Sequence, residues 1–213
     1  MSEKQINVHQ LKKALSFPLP GEEAQYKMAP LARPRMAEMP TSFEGIRKAA
    51  VLVPLFKNGD HVQVLLTLRS TYEGVHSGQI SFPGGKFEPH ETDPIQVALR
   101  ETEEEIGISS EHIEVLGLLT PLYIPVSKMY VQPVVAWLHS TDWFPEEKEV
   151  VEIIEVPTSQ LLDDQFRKTK TMDFPGRSSV MVPYFDLNDQ VVWGATAMML
   201  SELIAVLETM NDR

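Results

Sequence analysis

From Ala49 to Phe56 the chain is apolar almost without interruption, the pattern of a strand buried on both faces. Asn58-Gly59-Asp60 then reads as a hairpin turn, and His61–Arg69 alternates well enough to be its return strand. A short strand at Ile80-Ser81-Phe82 feeds Pro83-Gly84-Gly85. Further strands are predicted near 113–119, 131–138 and 150–156, with a Pro-rich turn over 121–127 and a short helix at 159–162. A second hairpin follows, 180–185 with 191–193, turning at Leu187-Asn188-Asp189. Helical spacing is found in three places. Residues 6–15 carry Ile6, Leu11, Ala14 and Leu15; residues 94–105 carry Ile95, Ala98, Leu99 and Thr102 on one face; residues 195–207 carry Met198, Met199, Leu203, Ala205 and Val206. Between the first helix and the first strand, Pro18, Pro20, Pro30, Pro34 and Pro40 suggest an extended arm. Strands mixed with a few long helices predict an α/β (α+β mixed) fold, a mixed sheet sandwiched between helices. The expected organisation is a helix and proline-rich arm over 1–46 and one domain over 47–213.

The middle helix carries the chemistry. Proline suits its first turn, Asp93 or Thr92 can cap it, and Gly107 can close it in the left-handed conformation. At about 100° per residue, Glu101 and Glu105 lie about 40° apart, with Glu104 about 60° to the other side of Glu101. Three carboxylates thus share a face while Glu103 points away. Late in a helix such a row repels itself and opposes the macrodipole. A bare run of glutamates is most often a solvated face. This one follows Gly84-Gly85 and is led by Arg100, and a hard divalent cation, Mg²⁺ or Mn²⁺, would relieve the repulsion. Gly85 is expected to bring bare backbone close to the ion, with a positive φ.

Composition narrows the partners. The 213 residues are 43% hydrophobic and 23% charged, with a net charge of −11, which argues against a nucleic-acid backbone as ligand. With no cysteine there are no disulfides or thiolate metal sites. No apolar run reaches membrane-spanning length, so the expected setting is cytoplasmic. His61, His90, His112 and His139 show no metal-ligand spacing, and His76 is read as a loop residue.

At Gly85, Glu91 and Arg100-Glu101-Thr102-Glu103-Glu104-Glu105-Ile106-Gly107-Ile108 the chain resembles the Nudix hydrolases. That signature fixes many positions at set spacings. Two departures stand out: eight rather than seven residues separate Glu91 from Arg100, and Thr102 replaces an apolar residue. Upstream, Leu65–Ser70, Gly78 and Phe82-Pro83-Gly84-Gly85 resemble the motif of the coenzyme A pyrophosphatase branch, which also carries the longer spacing. Ser127 with Pro133-Val134-Val135, Glu155-Val156-Pro157 and Trp193-Gly194-Ala195-Thr196 extend the match over residues 47–207; Gly74 stands where that motif has arginine.

The resemblance implies metal-dependent hydrolysis of a diphosphate bond. Glu101, Glu104, Glu105 and the Gly85 carbonyl would hold Mg²⁺ or Mn²⁺. Arg100 would orient Glu101, and either Glu104 or Glu101 would take the proton, with Glu149 and Glu152 as candidate extra base or ligand. Arg69, Ser70, Gly78 and Gly84 would contact substrate. Coenzyme A or acyl-coenzyme A would yield (acyl-)4′-phosphopantetheine and adenosine 3′,5′-bisphosphate, its 3′-phosphate meeting Arg69 or an arm cation such as Lys27, Arg33 or Arg35. A nucleotide sugar, ADP-ribose or a dinucleotide is the alternative substrate. A non-catalytic sensor would be expected to lack box glutamates, and here all are present. The expected partner is a small molecule, with a homodimer as a compatible assembly.

Overall fold

A computed structural model of the chain describes residues 6–31, 33–35, 45–70, 78–173 and 179–210. Its centre is the long apolar run, strand β1 (Arg47–Asn58), which pairs antiparallel with β2 (His61–Arg69) and parallel with β7 (Met129–Leu138). The other strands of this eight-stranded mixed sheet are β3 (Ile80–Ser81), β4 (Gly84–Lys86), β5 (Ile113–Leu118), β6 (Leu122–Ile124) and β8 (Val150–Pro157). They attach as β3-β2-β1-β7-β5, with β4 on β1, β6 on β7 and β8 on β2. A separate three-stranded sheet has the order β11-β10-β9, from β9 (Arg167–Met172), β10 (Val180–Leu187) and β11 (Gln190–Trp193).

Alternation along β1 builds two cores, as the period of two requires. Ala50, Leu52 and Phe56 face one cluster with Val97, Ala98 and Ile106 of helix α3 (Pro94–Ile106). Ala49, Val53 and Leu55 face the other, with Met198, Leu200, Leu203 and Leu207 of α5 (Gly194–Thr209). Helices therefore cover both faces, the expected sandwich. The Met-rich helix is core: it is apolar all round because the sheet and the N-terminal helices enclose it. No helix among the described residues is long and apolar enough to cross a membrane.

Helix α1 (Val8–Leu15) forms where expected, capped by Asn7 and burying Leu11, Ala14 and Leu15, and the short helix expected after β8 is α4 (Thr158–Leu161). The proline-rich segment differs from the extended arm. Between Pro20 and Pro30 lies α2 (Gly21–Gln25), followed by a 3-10 turn at Tyr26–Met28, with Ala24, Gln25 and Met28 buried. The reason is a distant carboxylate. Glu202 of α5 is fully buried and accepts bonds from Gly21 N at 3.0 Å, Gln25 Nε2 at 2.8 Å and Thr120 N at 3.1 Å. Such a group must be satisfied, and the N-terminal segment supplies two of its donors. Gly84–Lys86 also differs: the expected glycine-rich turn is the strand β4. A further strand, β6, lies within the expected turn 121–127, and β9 falls where no strand was predicted.

Candidate active site

Helix α3 has the ends the sequence predicts. Asp93 caps it through Ile95 N at 2.9 Å, Pro94 occupies its first turn, and Gly107 closes it at φ 74° with its N–H on Glu103 O at 3.0 Å. The segment after β7 crosses the C-terminus and satisfies two more carbonyls: Phe144 N donates to Ile106 O and Glu146 N to Glu105 O. Thr102 is buried without penalty because its hydroxyl donates to Ala98 O at 2.7 Å.

The carboxylates share the predicted side of α3 but are graded in burial. Val97 and Ile106 are buried, while Ile95 and Leu99 are only partly so, which turns the helix from the expected inward face. Glu105 consequently points inward and is only 1% exposed, accepting from Gly84 N at 3.1 Å and Arg69 Nη1 at 2.9 Å. Burial pushes its carboxyl up to about 7, against the opposing pull of Arg69 and the Gly84 N–H. Glu101 is half-buried and is also pushed up, first by desolvation, with the charges of Glu104 and Glu149 adding to it and Arg100 opposing. Glu104 is at the exposed rim and Glu103 faces solvent.

Arg100 gathers the cluster. Its Nε and Nη2 bind Glu91 bidentately at 2.8 and 3.0 Å, and Nη1 reaches Glu101 at 3.0 Å and Glu104 at 2.9 Å. Its principal partner is thus Glu91, with Glu101 also in reach. Glu91 is held down to about 2, first by that guanidinium and next by the Glu88 N–H. Glu91 was not among the expected site residues, although its fixed spacing from Arg100 was the available signal. The extra residue in the loop leaves this pair intact.

The two glycines have different duties. Gly84 has φ 149° and packs on the backbone of Ala50 and Val51, whereas Gly85 lacks the positive φ expected of it. A Cβ on Gly85 would overlap the Glu101 carboxylate, so bare backbone at 85 is what makes room for that group.

Of the remaining expected residues, Ser70, Glu149 and Glu152 lie where β2 meets β8. Ser70 is already committed: its N–H donates to Glu149 O at 2.9 Å and its hydroxyl to Lys148 O at 2.6 Å, tying the strands together. Gly78, at φ 63°, donates to Ser70 O at the entry to β3. Glu149 lies within electrostatic reach of Glu101. Glu152 pairs in register with Leu68, on the α5 side of the sheet and away from the carboxylates. Arg33 donates to Tyr123 O, and Arg35 stacks on Tyr26 at 4.5 Å. Gly74 and His76 lie outside the described residues.

As donors, these carboxylates and the Gly85 carbonyl suit a hard divalent cation, and the missing side chain at Gly85 lets the Glu101 carboxylate lie against that backbone. Among the described residues no three acidic or imidazole side chains stand together in an arrangement that could hold an ion as they are. Arg100 and Arg69 instead neutralise the glutamates directly.

The Arg69–Glu105 pair leads to an expected outcome. Arg69→Met should destabilise the fold by roughly 3 kcal/mol at pH 8, since it strands a buried carboxylate. The cost should shrink near pH 6, where Glu105 takes up a proton rather than remaining charged. Denaturant titrations at both pH values check this; equal losses would contradict the pairing.

A family model described as NUDIX domain matches residues 46–173. The chain belongs to the Nudix family. Among curated relatives of this Nudix chain, Nudix hydrolase 22, chloroplastic, of Arabidopsis thaliana is 36% identical over 169 residues, covering 76% of this chain and 55% of that protein. The mitochondrial coenzyme A diphosphatase NUDT8 of Homo sapiens is 37% identical over 163 residues, covering 75% and 69%. The uncharacterized Nudix hydrolase NudL of Pectobacterium atrosepticum is 38% identical over 161 residues, covering 74% and 81%. The chain spans little more than half the length of the first of these. Among solved structures, the Nudix hydrolase RenU of M. smegmatis superposes with a TM-score of 0.50 at 21% identity, over 76% of this chain and 86% of that one, a likeness of fold alone.

Proposed function

We propose that this Nudix chain hydrolyses the diphosphate bond of coenzyme A or acyl-coenzyme A, giving (acyl-)4′-phosphopantetheine and adenosine 3′,5′-bisphosphate. The observation that carries the hydrolytic reading is the Glu101 carboxylate laid against bare backbone at Gly85 and steered there by Arg100. The substrate reading is supported by the upstream motif and by relatives named as coenzyme A diphosphatases, among them the peroxisomal NUDT7 of Mus musculus at 35% identity over 70% of this chain and 64% of that protein.

Glu101, Glu104, Glu105 and the Gly85 carbonyl are the groups that would hold Mg²⁺ or Mn²⁺. When bound, such an ion neutralises diphosphate charge and makes water more acidic. The side chains do the rest. Arg100, anchored by Glu91, fixes the orientation of Glu101 and Glu104 through charge-assisted bonds. Glu101, half-buried beside Gly85, is the group placed to take the proton of the attacking water. Glu104 at the rim is the second candidate, and Glu149 reinforces the negative field on Glu101. Glu105 holds the Gly84 N–H and Arg69, and so keeps β4 against the helix.

The test is a substrate panel with Mg²⁺ or Mn²⁺, products identified by mass. Coenzyme A is expected to exceed ADP-ribose in kcat/KM by about tenfold or more, the scale of one well-made polar contact. Dephospho-coenzyme A, lacking only the 3′-phosphate, should fall below coenzyme A. Equal values for those two would remove a specific 3′-phosphate contact. Preference for ADP-ribose would overturn the coenzyme A reading in favour of another nucleoside diphosphate derivative, the alternative that Gly74, in place of the motif's arginine, keeps open.

A further inference from the structure

A cavity of about 320 Å³ opens on the α5 side of the molecule, remote in the fold from α3 and β4. Its wall is assembled from distant parts of the chain: Lys27 beside Met28 in the N-terminal 3-10 turn, Arg167, Lys168 and Thr169 of β9, and Ser201 of α5. Lys27 and Arg167 thus bring two cationic side chains to one cavity in a chain whose net charge is −11, while the Lys168 side chain alternates to the other face of β9, beside Asp186. Lysines on an edge strand such as β9 commonly serve only to discourage strand addition. Two observations go beyond that role. Lys27 comes from a different element altogether, is exposed, and makes no ion pair among the described residues. Arg167, although its Nη1 pairs with the exposed Asp164 at 2.8 Å, keeps its Nε buried with no hydrogen-bond partner. The Arg167 side chain as a whole nevertheless remains 31% exposed at the cavity wall.

Lys168 adds no charge to the cavity, because Asp186 holds its ammonium on the opposite face. The positive charge left to a ligand is therefore that of Lys27 and the part of the Arg167 guanidinium that Asp164 does not hold, with Thr169 on the same wall. A phosphate suits this set, since it takes a guanidinium, an ammonium and a hydroxyl together. We infer that the cavity between the N-terminal turn, β9 and α5 is a second binding site, for a phosphate-bearing small molecule, separate from the carboxylate site. A ligand there would bridge Lys27 to β9, and so fasten the N-terminal segment to the smaller sheet.

The test uses the full chain in EDTA, so that no divalent ion recruits phosphate to the glutamates. Inorganic phosphate and inorganic pyrophosphate are titrated while amide resonances are followed. Saturable binding is expected, with shifts at Met28, Lys168, Thr169 and Ser201 and none at Gly84, Gly85 or Glu101. Lys27→Ala, at an exposed position, and Arg167→Lys, which keeps the charge but loses the planar guanidinium fork, should each weaken binding about tenfold, the loss of one charge-assisted hydrogen bond. Lys57→Ala serves as the control for net charge and should bind as the wild type does. Shifts centred on the glycine strand, no saturation, or equal weakening in all three variants would each overturn the inference. Hydrolysis of coenzyme A is measured separately and bears only on the carboxylate site.

Discussion

Glu105→Gln is expected to lower hydrolysis on the order of 10³-fold, the scale for removing one precisely placed charged group from a site, while leaving the protein folded. Glutamine keeps an oxygen for the Gly84 N–H and loses the charge that faces Arg69. Stability should show a pH signature. The wild-type carboxyl, raised to about 7 from 4.5, binds its proton more tightly folded than unfolded. Its ionisation therefore costs nothing at pH 4, and the cost grows as pH rises through the folded value. Above that it levels off at about 3 kcal/mol. Glutamine has no such slope, so in EDTA the variant should gain on the wild type between pH 4 and pH 8 by roughly that amount. The Arg69 ion pair is already contained in that folded value, so it does not alter the pH-dependent part of the gain. Turnover near that of the wild type in a folded Glu105→Gln protein would remove Glu105 from the working site.

Gly85→Ala should lose activity by about 10²-fold, the penalty for displacing a catalytic group by around 1 Å, with a stability change under about 1 kcal/mol. The added Cβ meets the carboxylate of Glu101, the far end of a side chain, which can swing aside without moving backbone. Gly84→Ala makes the opposite prediction. There the Cβ meets the backbone of Ala50 and Val51 at a residue with φ 149°, so the fold itself should lose about 2 kcal/mol or more. Thermal melts and kcat measured on both variants separate the two glycines. Equal stability losses would deny them different roles.

The elements read correctly from the sequence are those whose signals are local. Helix α3 is bounded by Asp93, Pro94 and Gly107, each acting on backbone groups within a turn. Strand β1 announces itself because both of its faces are buried, so nearly every residue in it is apolar. The spacing of Gly85, Glu91 and Arg100–Gly107 identified the family for the same reason: it is a fixed run of neighbours. Elements lacking such signals were not legible. β9, Arg-Lys-Thr-Lys-Thr-Met, has no apolar alternation because it is an edge strand with most side chains in solvent. The bound state of α2 depends on Glu202, some 180 residues away, which no local pattern can reveal.

Within the site the same division holds. Sequence alone determined that three carboxylates would share one side of a helix behind a glycine pair, because helical geometry does not depend on what the helix packs against. Only the tertiary structure decided which of them would be buried. The packing of Val97 and Ile106 on the sheet sets the roll of α3, sending Glu105 to Gly84 and Arg69, Glu101 to Gly85, and Glu104 to the rim. It also joined Arg100 to Glu91 across the loop and separated Glu149, in the turn before β8 and within electrostatic reach of Glu101, from Glu152, in register with Leu68 on the α5 side. Those contacts are set by chain closure over tens of residues, where burial and charge pairing, rather than local propensity, determine the outcome.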